Sequence, residues 1–382
     1  MDLTSWYSSN FESRLMGRYI TLEHLRPLLD TYQDKFEISV IGSSEQGKEI
    51  PLIKIGKGSK VVLAWSQMHG NESTTTKAIF DFLKYISQKS SFQSDIERFS
   101  DTFTVFVIPM LNPDGAALYT RENANSIDLN RDAQNLSQSE SVILNTIFKR
   151  VKPDLCLNLH DQRTIYGLKN GLPATVSFLA PAGDPLCTIT QSRKIAMQAI
   201  VKMNKHLQGH IPGQIGRYDD SFNINCVGDT FQNAGIPTIL FEAGHYQGDY
   251  QREKAREFIF YALLALFELG NTNYGDLNYE DYFQIPENAV NFKDIILRNV
   301  IYNNQEVSSL ALQYKEVLHN DVIKFHAIFD SIGDCEEFHG HQELEGNSDI
   351  ILINSQEKVE LGDEILTIVS KNKESNIYFP FK

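Results

Sequence analysis

The chain contains no run of 18 apolar residues, so no membrane-spanning helix is expected. Its start, Met1-Asp2-Leu3-Thr4-Ser5-Trp6, lacks a basic stretch followed by an apolar one; no signal peptide is read there, and the expected compartment is cytoplasmic. Cysteine is scarce. Cys156, Cys187, Cys226 and Cys335 show no paired spacing, which argues for free thiols over a disulfide framework or a Cys metal site. Basic charge is also in deficit, with 35 Lys and Arg against 49 Asp and Glu. A net charge of −14 excludes nucleic acid and an anionic membrane surface as expected partners. Internal repeats and low-complexity tracts are missing too, so solenoids and disordered tails are not expected.

What remains is the composition of a globular protein, 42% hydrophobic and 11% aromatic. At 382 residues the chain exceeds the size at which one core stops growing, so one large and one smaller domain are expected. Residues 1–35 read as helical, with Thr21 as an N-cap. Apolar runs at 37–42 and 50–56 flank a polar turn and form a hairpin. Strands are then expected at 60–65, 102–109, 154–160, 174–179 and 237–242, alternating with helices at 74–88, 138–150, 188–207 and 252–268. That order predicts an α/β fold, a mixed and mostly parallel sheet with helices on both faces, over 1–270. Asn112-Pro113-Asp114-Gly115 reads as a turn and 119–132 as a polar, solvated loop. After a polar, Tyr-rich linker at 271–287 the periodicity switches to alternation, which predicts a small all-β domain, sandwich or barrel, over 288–382.

Side chains able to ligate a metal fall at the ends of the expected strands. His69 follows the run Lys60-Val61-Val62-Leu63-Ala64-Trp65, Glu72 precedes a helix, and His160 ends Asp154-Leu155-Cys156-Leu157-Asn158-Leu159. Open α/β sheets build their sites at such carboxyl ends. Taken alone, His69 and Glu72 fit a helix-capping Glu beside an unrelated His. With His160 they form two His and one Glu, the ligand count of a catalytic zinc with an open fourth position. Glu242 ends another apolar strand, where a carboxylate must be paired, capping or catalytic. Phe338-His339-Gly340-His341 has no third ligand nearby and reads as a solvated turn.

Met68-His69-Gly70-Asn71-Glu72, Leu111-Asn112-Pro113-Asp114-Gly115 and the loop from Arg121 to Arg131, in that order, resemble the M14 zinc metallocarboxypeptidases, most closely the carboxypeptidase N/E-type branch. The resemblance runs from about residue 15 to residue 270. It implies one Zn²⁺ per chain on His69, Glu72 and His160, with Asp128 orienting His69. It further implies Asn130 and Arg131 on the substrate's terminal carboxylate, Arg121 on the scissile carbonyl, and Glu242 as general base. The family's substrate-contacting Tyr has Tyr218 as its nearest candidate. Two departures stand out: Asp132 follows Asn130-Arg131 in place of the usual Asn-Phe, and Asp161-Gln162 follows His160 in place of small residues.

The activity implied is removal of a C-terminal amino acid from a peptide. His-Asp after a strand, and a β domain after the catalytic one, also occur in the aspartoacylase and succinylglutamate desuccinylase group. A related amidohydrolase acting on acylated amino acids or cell-wall peptides is therefore a second reading, and a non-catalytic peptide-binding scaffold a third. In the two hydrolase readings the partner is a substrate with a free carboxylate.

Overall fold

The computed structural model describes residues 3–88, 92–270, 272, 274–302, 306–354 and 359–371, and the backbone alone of 376–378. The chain divides into two compact units, 1–162 with 174–288, and 163–173 with 289–382. The second unit thus takes in an eleven-residue insertion that apolar periodicity could not separate from the first. Within 271–287, the stretch read as a linker, Tyr282 is fully buried and its hydroxyl receives the N–H of Ala180, so this part belongs to the first unit's core.

In chain order the first unit begins with α1 (Leu3–Asn10), α2 (Leu22–Tyr32), β1 (Glu37–Ser43), β2 (Glu49–Gly56), β3 (Lys60–Ser66) and α3 (Thr74–Ile86). There follow α4 (Gln93–Thr102), β4 (Phe103–Ile108), α5 (Pro113–Leu118), α6 (Ser139–Val151) and β5 (Leu155–Asp161). The short β6 (Tyr166–Gly167) belongs to the second unit, after which come β7 (Val176–Leu179), α7 (Gln191–Leu207), β8 (Ile215–Arg217), α8 (Val227–Asn233), β9 (Thr238–Ala243) and α9 (Glu253–Leu266). The eight-stranded sheet has the order β1-β2-β4-β3-β5-β9-β7-β8. Its four central strands run parallel, and β2 and β7 join them antiparallel. This is the mixed, mostly parallel sheet that the alternation predicts.

The central strands are apolar on both faces because helices cover both. Val62, Ala64, Leu157, Leu159, Ile239 and Phe241 pack into one large core with residues of α3, α7 and α9. Leu63, Trp65, Cys156 and Ile108 pack on the other side with Leu144 and Ile147 of α6 and Val227 and Phe231 of α8. A pair of buried charges crosses the larger core: Arg256 on α9 makes two hydrogen bonds of 2.7 Å to Asp81 on α3 and also donates to Leu15 O and Glu12 O.

The second unit is all-β. β10 (Ala289–Val290) pairs with β6, and β11 (Phe292–Ile301), β12 (Ser308–His319), β13 (Val322–Gly333), β14 (His339–Ile353), β15 (Thr367–Ser370) and β16 (Asn376–Tyr378) form one sheet in the order β13-β12-β11-β14-β15-β16. Its core gathers Ile295, Leu297, Leu312, Phe329, Ile351 and Ile368. All four cysteines are free, as expected. Among the described residues no helix is long and apolar enough to cross a membrane.

Candidate metal centre

β3 ends at Ser66, and the chain turns through Gln67 in a left-handed conformation, φ 48°. Leu111 N and Asn112 N donate to Ser66 O and Gln67 O, and Asn112 Nδ2 donates to Met68 O. Gln67 Nε2 in turn donates to Ile20 O and Gly70 O. Gly70 lies so close to α5 that a Cβ would stand 2.0 Å from the carbonyl carbon of Gly115, a close approach that only glycine permits. The Asn112-Pro113-Asp114-Gly115 segment is thus not a free turn. Asn112 is the N-cap of α5, with its Oδ1 accepting from Gly115 N at 2.8 Å and Pro113 opening the helix.

The sheet register does the rest. β3 and β5 pair Ser66 with Leu159, which sets His160 beside the His69 loop, and β5 and β9 pair His160 with Glu242. His69, Glu72 and His160 are all buried, and their ligand atoms lie within 4.8 Å of one another. His69 Nδ1 stands 2.8 Å from Glu72 Oε1 and 3.0 Å from His160 Nδ1, which is itself 2.8 Å from Glu72 Oε2. Among the described residues this is the one group of three or more His, Cys, Asp or Glu so arranged, and His339 and His341 are not part of it. His341 lies at the start of β14, its Nε2 on Thr164 O and its ring stacked on Phe292.

His69 Nε2 lies 3.0 Å from Asp128 Oδ1, an acceptor that suits a proton on Nε2; with the proton there, Nδ1 would present a lone pair to a metal between Glu72 and His160. Two nitrogens and a carboxylate directed at one point suit Zn²⁺. Asp128 also accepts Arg121 Nε and Nη2 at 3.1 and 3.0 Å and the N–H of Asn130 at 2.9 Å. Arg121, half-buried, reaches Glu72 Oε1 with Nη1 at 3.2 Å.

The electrostatics follow from burial and these neighbours. Burial disfavours a charged His69, yet Glu72 and Asp128 outweigh it and raise its pKa. For His160 burial prevails and lowers it. Burial would raise Glu72, but the two imidazoles hold its carboxyl well below the usual range. Glu242 goes the other way: lost hydration, then the charges of Glu72 and Asp161, push its carboxyl well above the usual value. It is a half-buried residue whose Oε2 is screened from solvent and has no hydrogen-bond partner among the described residues.

The remaining expected residues are distributed around this group. Asn130 lies in a 3-10 turn, Leu129–Arg131, and its Oδ1 receives Val227 N at the start of α8. Arg131 is exposed, with Nη1 on Asn130 O. Tyr218 follows the edge strand β8, two strands away from β9, with its N–H on Phe178 O. The loop at 119–132 is less solvated than its composition suggests. Asn123 and Asp132 are buried, and Asp132 accepts Ser137 N, Ser137 Oγ and Gln138 N, shaping the approach to α6. The other departure, Asp161, joins Glu72 to α3 through contacts that its place in the sequence does not announce.

Residues 21–150 match the family model of Peptidase M14, zinc carboxypeptidase. No curated protein matches the chain in sequence. Among solved structures, a metallo-carboxypeptidase from Burkholderia cenocepacia is similar at a TM-score of 0.54 and 16% identity, over 65% of this chain and 69% of that one. A metallo-carboxypeptidase from Pseudomonas aeruginosa, solved with (2-guanidinoethylmercapto)succinic acid, gives 0.51 and 17% over 64% and 68%. Carboxypeptidase A from Helicoverpa armigera gives 0.50 and 16% over 70% and 78%. At these identities the structural likeness establishes the fold alone, and the match to the zinc carboxypeptidase family model covers residues 21–150, within the larger unit.

Proposed function

We propose that this protein removes the C-terminal amino acid from a peptide, with one Zn²⁺ held by His69, Glu72 and His160. The observation that carries the reading is the convergence of those three donors beside Glu242, with Arg121 on Glu72. A bound Zn²⁺ supplies a Lewis acid and lowers the pKa of a water toward about 7. Glu242, beside His160 in the sheet, would act as general base toward the attacking water and return the proton to the leaving amine. Arg121, held in place by Asp128, stabilises negative charge developing on the scissile carbonyl oxygen. Arg131, exposed beside Asn130, grips the substrate's free carboxylate through paired N–H donors.

The second reading, hydrolysis of an acylated amino acid, draws on Asp161 after His160 and on the all-β unit. Both readings need the same metal and base. Glu242→Gln is expected to keep about one zinc per chain and to lose turnover by roughly 10²–10⁴-fold. Retained turnover would remove Glu242 from the base role, and wild-type protein that binds no zinc would overturn the metal assignment.

A further inference from the structure

Asp161 stands between two of the ligand-bearing segments and touches both. Its backbone N–H donates to Glu72 Oε2 at 3.1 Å, and its side-chain Oδ2 accepts Thr74 N at 3.0 Å and Thr74 Oγ1 at 2.5 Å. One residue, adjacent to His160, therefore binds the carboxylate of Glu72 and the main chain two residues beyond it. The start of α3 needs such a partner. Ser73 occupies the N-cap position but makes no capping hydrogen bond, because its Oγ donates to Arg18 O at 2.6 Å. A carboxylate at the first turn satisfies an open N–H and meets the positive end of the helix dipole. Asp161 is buried, and its Oδ1 has no hydrogen-bond partner among the described residues.

We infer that Asp161 is a positioning residue: by clamping Thr74 and Glu72 to the end of β5, it fixes Glu72 relative to His160. Asp161 touches no substrate in this role and acts through Glu72. The inference rests on His69, Glu72 and His160 being metal ligands.

The test measures zinc affinity by competition with a chromogenic chelator, and kcat and KM on a blocked peptide, for wild type, Asp161→Ala and Asp161→Asn. Asp161→Ala is expected to weaken zinc binding by about 10–100-fold, the usual effect of removing a group that orients a ligand, and to lower kcat with KM little changed. Asp161→Asn keeps an oxygen for Thr74 and is expected to recover most of the affinity. If the alanine variant does not fold, Thr74→Val removes one of the three contacts and should shift affinity in the same direction by less. Wild-type affinity in Asp161→Ala, or equal damage from Ala and Asn, would overturn the positioning role while leaving the metal site standing. Wild-type protein that binds no zinc would overturn both.

Discussion

Asp128 offers a sharp perturbation because each oxygen of its carboxylate is committed. Oδ1 faces His69 Nε2 at 3.0 Å and Asn130 N at 2.9 Å, while Oδ2 accepts two N–H groups of Arg121. Asp128→Asn keeps the shape but replaces one acceptor with a donor. If the new NH₂ faces His69, the imidazole must move its proton to Nδ1, the atom directed at Glu72 and His160. If it faces Arg121, two donors meet and the guanidinium is released. Either way a charge-assisted hydrogen bond worth about 1.5–3 kcal/mol is lost. Loss of such a partner typically weakens metal binding by about 10–100-fold, or about 1.4–2.8 kcal/mol at 1.4 kcal/mol per tenfold. Asp128→Ala leaves the imidazole free to choose its proton position, so its loss should be no larger than that of Asn. The assay is zinc competition against a chelator, with kcat/KM measured alongside. Both variants within twofold of wild type, or Asn clearly better than Ala, would refute the proton-placing role.

Arg256→Met should destabilise the protein by about 3–5 kcal/mol, because it removes the ionic partner of the buried Asp81 and leaves only Tyr7 Oη and Glu12 N as its donors among the described residues; the double change with Asp81→Leu should lose less, and equal losses in urea unfolding would refute the pairing. His206 is pushed down to about 4 by burial and by His210. The unfolded chain then binds the extra proton between about pH 6.5 and 4, so stability is present above that window and is lost as pH falls through it. The contribution is at most about 3 kcal/mol and smaller after solvent screening. Melting His206→Gln and wild type at pH 7.5 and 4.5 should give the variant the flatter response, and identical slopes would exclude His206 as the source.

The parts of the site that stand at strand ends were legible in the sequence. His160 and Glu242 close apolar strands that the sheet register sets side by side, and His69 follows the end of a neighbouring strand in the next loop. Less was legible where one residue serves two elements. Asn112-Pro113-Asp114-Gly115 carries strong turn signals, yet the same residues cap and open a helix, and nothing local decides between them. α4 has a helical period, with Phe92, Ile96, Phe99 and Phe103 turned to the core, but it is short and otherwise polar, and only Phe99 of its own residues is fully buried. β12 escaped the alternation rule because a register shift between Ala311 and Leu312 leaves five consecutive residues buried. The His339 and His341 pair reads as a turn but begins β14, where pairing with β11 holds it extended. Asp132 and Asp161 read as departures from a motif; their partners are five and 87 residues away and appear only once the chain is folded.

The central proposal is exopeptidase action at a metal site, and its most direct test is one pair of substrates. A blocked peptide with a free C-terminal carboxylate is compared with the same peptide amidated, with and without chelator, and with N-acetyl and N-succinyl amino acids alongside. The free acid should lose one residue, with activity abolished by chelator and restored by zinc. The amide should be cut more slowly by about 30- to 4,000-fold, which corresponds to about 2–5 kcal/mol for a lost charge partner. Equal cleavage of acid and amide, or full activity in chelator, would contradict it, and turnover of the acyl amino acids alone would shift the assignment to the amidohydrolase reading.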